Sequence, residues 1–576
     1  MRVNGPARWG QCFVVDSRKK GLMGSSLRTL CARTIGGLAL VAALTGWIEA
    51  KDHPPDTPPA PTQPSESEQD SADPGVATAP SSESGASALE PAPTAASLEG
   101  GPKEGEKKKP AKKKAPPNPF KPNLFQNDFS YKKDPENKTY IPGEELKDMP
   151  LDCLGDWWCL PKSTLSFGGE MRHRYMDEDN RLRPGGPGRS TYQLWRSRNY
   201  LDYKSEHVRA YVEMIDASSF GEELPETIID VNRADIQNAF VDLMFLERDG
   251  KPIVFRTGRM ELLYGAQRLI SPLDWANTRR NFEGFLVSSK GDTWDIDAFV
   301  TRPVNSAALN FFRKTSADHG DAGRTFSGVY STFHAIENQT VDVYWIWLRE
   351  QEPLFTVPEG SRQTVGLRYA GTKPVKEGPE KVVRQWDWDF EGGYQFGHDN
   401  DLLNIERPIQ AGFVTGILGH TWMVPWKPRI AGLYYWGSGD SDRFDGNTNT
   451  FSVLYPLGHA YWGIIDNLSG QNLINYSIQG QVKPTDKLTA NAHLHWFNLD
   501  SNADRIYNIA GAGIGRTGTS VNVGQELDFF GTYQFNPNFD IQAGYSWFWY
   551  GDAVTQQAAL RRDDATQFYV QTTLRY

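Results

Sequence analysis

Cysteine is scarce in this chain: four among 576 residues. Cys12 and Cys31 lie near the start, and only Cys153 and Cys159, in LDCLGDWWCL, fall within the body. No histidine or further cysteine stands close enough to complete a zinc set. A structural metal and a thiol-held cofactor are therefore not expected. In an exported chain, Cys153 and Cys159 read as a small-loop disulfide, with two independent free thiols as the alternative. Long apolar runs are also missing. Apolar residues make up 39% of the chain, and none of their runs reaches the ~20 residues a membrane-crossing helix needs. A polytopic helical membrane protein is thereby excluded. The glycines form no phosphate-binding loop. What the chain does have is aromatic weight on a polar background: 18 Trp, 23 Tyr and 29 Phe. That combination suits a β-rich glycan binder or a barrel in an outer membrane.

The longest apolar stretch is IGGLALVAALTGWI at 35–48, preceded by Arg28 and Arg33 and followed by small residues around Ala50. A charged start, a short apolar run and a small-residue exit read as a secretory signal over residues 1–50. The charged part is long if translation begins at Met1; a start at Met23 gives an ordinary one. No cysteine follows closely, so a lipoprotein anchor is not expected. Residues 51–122 hold 16 of the 37 prolines and show no apolar period, which predicts a disordered linker. Its charge is blocked. Residues 51–100 carry nine acids and one lysine, and then KEGEKKKPAKKK packs seven lysines between Lys103 and Lys114. That run suits contact with cell-wall polymer or anionic head groups, or simply a solvated spacer. Export leaves no nucleic-acid role. Residues 123–162, with NLFQNDFSY and LGDWWCL, carry aromatics a linker does not need. They are expected to be ordered and to dock on the body, pinned by Cys153–Cys159.

From 163 to 576 the pattern has period two. Leu165, Phe167, Met171 and Tyr175 share one face, and Glu170, Arg172 and Arg174 the other. Trp386, Trp388, Phe390, Tyr394 and Phe396 alternate with Asp387, Asp389, Glu391 and Gln395. The stretches 474–482 and 539–549 behave alike. Such alternation is the strand signal, and an aromatic face opposite a charged one fits lipid outside and water inside. KPTDKL at 483–488 and FNPNF at 535–539 are tight turns, while 440–450 and 500–520 read as long loops. Short turns on one side and long loops on the other predict a single all-β, antiparallel transmembrane barrel. At about 23 residues per strand with half its connections, the body holds roughly 18 strands. The last strand, QFYVQTTLRY, puts Phe568, Val570, Thr572 and Leu574 on one face and ends on Tyr576. It is similar to the terminal signal read by barrel assembly machinery, which becomes an expected partner together with outer-membrane lipid.

One stretch is more specific. Residues 258–284, GRMELLYGAQRLISPLDWANTRRNFEG, resemble the core signature of the alginate export family of outer-membrane porins. The matching features are Gly258-Arg259, Tyr264-Gly265, Gln267-Arg268-Leu269-Ile270, Pro272, Asp274-Trp275, Asn277, Arg280 and Gly284. Arg196 and Arg198, the IDAS segment at 215–218 and DIQNAFVDL at 235–243 are similar too. The resemblance spans 163–576 and implies a monomeric 18-stranded barrel in the outer membrane. It also implies an arginine-rich constriction crossed by an anionic polysaccharide, an alginate-like uronate polymer.

The chemistry is consistent with that implication. Each uronate carries a carboxylate, and guanidinium binds carboxylate in a two-pronged fashion while staying charged. Candidate pore residues are Arg172, Arg174, Arg196, Arg198, Arg259, Arg268 and Arg280; the other reading is a wall in which arginines pair with Glu170, Glu261 or Asp274. Arg256 and Arg259 have opposite parity, so both face inward only if a bulge intervenes, at Gly258 for example. Asp274, Trp275 and Asn277 belong to a folded-in loop, where Trp275 stacks on sugar or anchors the loop. Transport breaks no bond, so neither catalysis nor a cofactor is expected. Alternatives are a general or uptake porin for anionic oligosaccharides or small anions, a barrel enzyme and a soluble exported glycan-binding protein. The enzyme reading leans on His493 and His495, which share a face but have no third ligand nearby.

Overall fold

A computed structural model of the chain describes residues 118–134, 139–151, 162–183, 187–305, 318–351, 359–379, 381–400, 405–518 and 520–576. The proposed leader, the linker to residue 117 and the Cys153–Cys159 pair lie outside the described residues.

Eighteen long strands dominate the described residues. They are β1 Thr164–Asp179, β2 Arg189–Lys204, β3 Val208–Phe220, β4 Asn232–Arg248, β5 Lys251–Met260 and β6 Phe282–Lys290. Next come β7 Trp294–Asn305, β8 Arg324–Phe333, β9 Gln339–Glu350, β10 Gly360–Glu377, β11 Lys381–Asn400 and β12 Glu406–Trp422. The last are β13 Arg429–Gly437, β14 Leu473–Thr485, β15 Leu488–Asn498, β16 Asn522–Asn536, β17 Phe539–Tyr550 and β18 Ala565–Arg575. Each pairs antiparallel with its neighbours in sequence. β18 closes on β1, from Glu170↔Arg575 to Asp179↔Thr566, so the barrel has no free edge. Tyr576 extends the closure: its N–H donates to Gly169 O at 3.1 Å, and Gly169 N–H donates to Tyr576 O at 3.0 Å.

The period-two pattern sorts as the sequence requires. Met171, Phe390, Tyr394, Tyr476, Ile478, Trp549, Phe568 and Leu574 are exposed on the outer wall, while Glu170, Arg172, Arg174, Asp389, Glu391 and Gln571 are buried within. Water cannot satisfy strand backbone in hydrocarbon, so closure of the ladder is what allows the apolar faces to meet lipid.

Connections differ by side. On one side they span two to six residues, and Asp249-Gly250 turns with φ of 53° and 69°, as a tight hairpin of mirror-image type requires. Both ends of the barrel segment lie on this side. On the other side run the long connections. Two of them, 261–281 after β5 and 438–472 after β13, fold inward. Nearly every residue of 451–470 is buried. The two loops meet in a short parallel bridge between Ile270 and Tyr455. Ser271 N–H donates to Tyr455 O at 2.9 Å, Tyr455 N–H to Leu269 O at 3.0 Å and Leu457 N–H to Gln267 O at 2.8 Å. Tyr455 packs edge-on against Phe282 and Phe326, which stack on each other.

Candidate functional site: the arginine cluster inside the barrel

The interior face of β1 and β2 presents four arginines in two adjacent rows, because the register pairs Arg172 with Arg196 and Glu170 with Arg198. Like charges so close need counter-ions or acceptors, and the folded-in loop brings them. Arg172 Nη1 donates to Asp274 O at 2.6 Å, and its Nη2 to Trp275 O at 3.0 Å and also to Ala276 O. Arg174 donates to Trp275 O at 2.8 Å and to Gln571 Oε1 at 2.7 and 2.9 Å. Among the described residues, neither Arg172 nor Arg174 forms an ion pair; their acceptors are neutral. Arg196 does both, reaching Asp274 O and Ala276 O at 3.0 Å, and Glu170 and Asp274 carboxylates at 2.7 and 2.9 Å.

Arg198 lies deeper. It pairs with Glu213 at 2.7 Å and Glu261 at 3.4 Å, and all three side chains are fully enclosed. Glu213 reaches this position beside a break in the β3–β4 ladder, where register shifts between Glu213 and Met214. Arg279 completes the group, pairing with Glu261 and Asp274. Arg575 joins through Glu170 at 3.4 Å and brings Asp540 at 2.6 Å. Six guanidinium groups thus face five carboxylates, Glu170, Glu213, Glu261, Asp274 and Asp540, leaving one positive charge in excess.

The remaining candidates are spread around the wall. Arg268 bridges to Asp389 at 3.0 Å and Glu391 at 2.7 Å on β11, with Arg368 sharing Asp389 at 2.8 Å. Arg280 Nη1 donates to Ser271 O at 3.2 Å and Pro456 O at 3.4 Å, tying one inward loop to the other. Arg259 pairs with Glu283 at 2.6 Å and Asp235 at 3.5 Å. Arg256 pairs with Asp242 at 2.7 Å. Both Arg256 and Arg259 thus reach interior partners, yet the ladders on either side of β5 show no register shift at Gly258. The means is conformational: Gly258 at φ +125° faces Gly284 at φ +155°, and the chain turns there without an inserted residue.

Trp275 is held rather than free. The Arg174 guanidinium lies 3.4 Å from its ring centroid and the His459 ring 4.2 Å from it. Asn277 Nδ2 lies within 2.9–3.1 Å of Trp195 O, Ser218 O and Asp230 O, joining the loop to β2, to β3 and to the connection after β3. Asp274, Trp275 and Asn277 together act as the clasp of this loop. His493 and His495 face inward on β15. His495 Nδ1 engages Asn475, while Ser477 at 3.4 Å and Asp528 at 3.8 Å both approach Nε2. A hydroxyl and a carboxylate on the same nitrogen cannot form a relay in which the imidazole takes a proton from one and is oriented by the other.

Sequence reasoning did not single out Arg279, Glu213 or Arg368. Arg279 sits in a loop, where parity says nothing, and Glu213 and Arg368 lie on interior faces that parity marks without ranking.

A closed eighteen-stranded antiparallel barrel with an apolar outer wall, a charged interior and inward loops is an outer-membrane channel of the porin type. The model of the alginate export family matches residues 163–568, and the chain belongs to that family. Its location is accordingly the outer membrane. Among curated proteins, none matches the chain. Solved structures similar to it include Acinetobacter baumannii OccAB2 (8% identity, TM-score 0.48, covering 71% of this chain and 98% of that one). Pseudomonas aeruginosa OccK1 (OpdK) is similar at 12% identity and TM-score 0.47, with 72% and 98% covered. The outer membrane protein OprD of the same organism is similar at 11% identity and TM-score 0.46, with 71% and 93% covered.

Proposed function

We infer that this channel passes an anionic polysaccharide, an alginate-like uronate polymer, along the arginines of its interior. The observation that carries the reading is the state of Arg172 and Arg174. Both are buried, and their acceptors are loop carbonyls and an amide rather than carboxylates. A guanidinium satisfied only by neutral acceptors keeps its full charge for a passing anion, and in a water-poor interior that charge acts at short range with little screening. A carboxylate is also the stronger partner, since hydrogen bonds between two ionised groups exceed those to a neutral oxygen. The loop carbonyls therefore hold sites that cargo carboxylates can take over in turn, which gives the weak, repeated binding that conduction needs.

The test is the reversal potential across a salt gradient, for wild type and for Arg172→Gln with Arg174→Gln. Glutamine keeps amide donors for the loop carbonyls and removes the charge. The wild type should prefer anions and be blocked by short oligouronates; the variant should lose much of both. A cation-selective wild type, or one indifferent to the double substitution, defeats the polyanion reading and leaves the channel standing.

A further inference from the structure

The described chain ahead of the barrel makes contacts inside it. Leu124 and Phe125 are buried, and Phe125 stands edge-on to Tyr211 and Phe240 at 5.9 and 5.4 Å. Both partners lie on the interior face, in line with Glu213 on β3 and Asp242 on β4. The Arg256 guanidinium lies 4.8 Å from the Phe125 ring centroid. Two main-chain oxygens of the segment are taken by interior arginines. Arg209 Nη2 donates to Phe125 O at 2.6 Å, and Arg279 Nη2 to Pro122 O at 3.1 Å. Arg279 is the guanidinium that pairs with Glu261 and Asp274, so the tip of the segment touches the central cluster itself.

The base of the segment is fastened separately. Met149 and Pro150 pair with Leu165 and Thr164 at the start of β1. Asn538 Nδ2, in the β16–β17 turn, donates to Pro142 O at 2.8 Å. Those contacts fix residues 139–151 at the short-turn mouth. Phe120 and Phe129 pack with Ile141 of this base, Tyr131 donates to the Glu144 carboxylate, and Lys132 Nζ donates to Glu144 O and Lys147 O at 2.6 and 2.7 Å. The inner end, 122–127, is held instead by the Phe125 ring contacts and by neutral oxygens offered to Arg279 and to Arg209, which also pairs with Asp202 at 2.8 Å; a carboxylate can displace such oxygens from arginine.

We propose that residues 122–127, the inner end of this segment, are a displaceable plug. They occupy Arg209 and Arg279 from the short-turn side and withdraw when an anionic chain entering there takes those guanidinium groups. The identity of the displacing ligand rests on the proposed anion path; the occlusion does not.

The experiment uses the full chain in detergent and in planar bilayers. Hydrogen exchange over 122–127 is followed alone, with a short oligouronate and with a neutral oligosaccharide of equal length. Conductance in potassium chloride is compared between wild type and Leu124→Ala with Phe125→Ala. Exchange should be slow at rest and about tenfold faster with oligouronate only. The variant should exchange fast without ligand and conduct at least about twofold more. Fast exchange in resting wild type, a variant that stays protected, or a released segment with unchanged conductance overturns the plug. A conductance rise in the variant with no response to oligouronate keeps the occlusion and overturns displacement by anions.

Discussion

Arg198 donates through Nε to Glu213 Oε1 at 2.7 Å, and neither side chain reaches solvent. Glu261 closes the same group from the inward loop. Removing the cation leaves the buried Glu213 carboxylate without an ion pair, while Glu261 keeps Arg279, and breaking a buried pair from one side costs about 3–5 kcal/mol. Arg198→Ala should therefore impair barrel assembly, seen as loss of the heat-dependent mobility shift and a lower urea midpoint. Arg198→Ala with Glu213→Gln should recover part of the loss. An Arg198→Ala barrel as stable as wild type would show that the pair is hydrated.

Trp275 fills the space between Arg174 and His459. Trp275→Ala removes that contact and a buried indole, worth about 3–5 kcal/mol at a well-packed site. We expect loop 261–281 to exchange amide hydrogens faster and the conductance to rise, while barrel thermal stability changes less. Unchanged protection of the loop would assign its clasp to Asp274 and Asn277.

Gly258 and Gly284 face each other with positive φ, and a Cβ at 258 falls 2.2 Å from Ala239 O. Gly258→Ala meets both strain and collision, for a loss of at least about 1–3 kcal/mol. Gly250, in an open turn at φ +69°, has nothing near its Cβ position. Gly250→Ala meets the backbone term only, about 1 kcal/mol. Denaturant titration of the two variants should separate them in that order.

Lys147 lies buried near Phe129 and Tyr200, and that burial pushes its ammonium down to about 8 from 10.5, against the pull of Glu145. The docked segment then holds fewer protons than the free one between those values, so docking strengthens as pH rises from about 8 and sits at its lower plateau below it. Tryptic cleavage after Lys132 and Lys133, normalised to a free peptide, should slow over that range. Lys147→Met should abolish the dependence, and a pH response that survives the substitution would place its origin elsewhere.

The sequence by itself determined the barrel and its faces. Period-two alternation, turn chemistry and the closing strand act locally and along one chain, so residues such as Phe390 and Asp389 could be sorted to wall and interior without coordinates. The motif at 258–284 determined the family. Parity says which way a side chain points, but not what it meets there. Arg198 finds Glu213 on the next strand, but whether Arg172 meets a carbonyl depends on a loop returning from about 100 residues away. Only the tertiary structure decided that Arg268 reaches Asp389 and Glu391 across the barrel, that Trp275 is clamped between Arg174 and His459, and that Phe125 sits inside. Long-range contacts of this kind leave no periodic trace, because their partners are set by closure of the whole sheet and not by spacing along the chain.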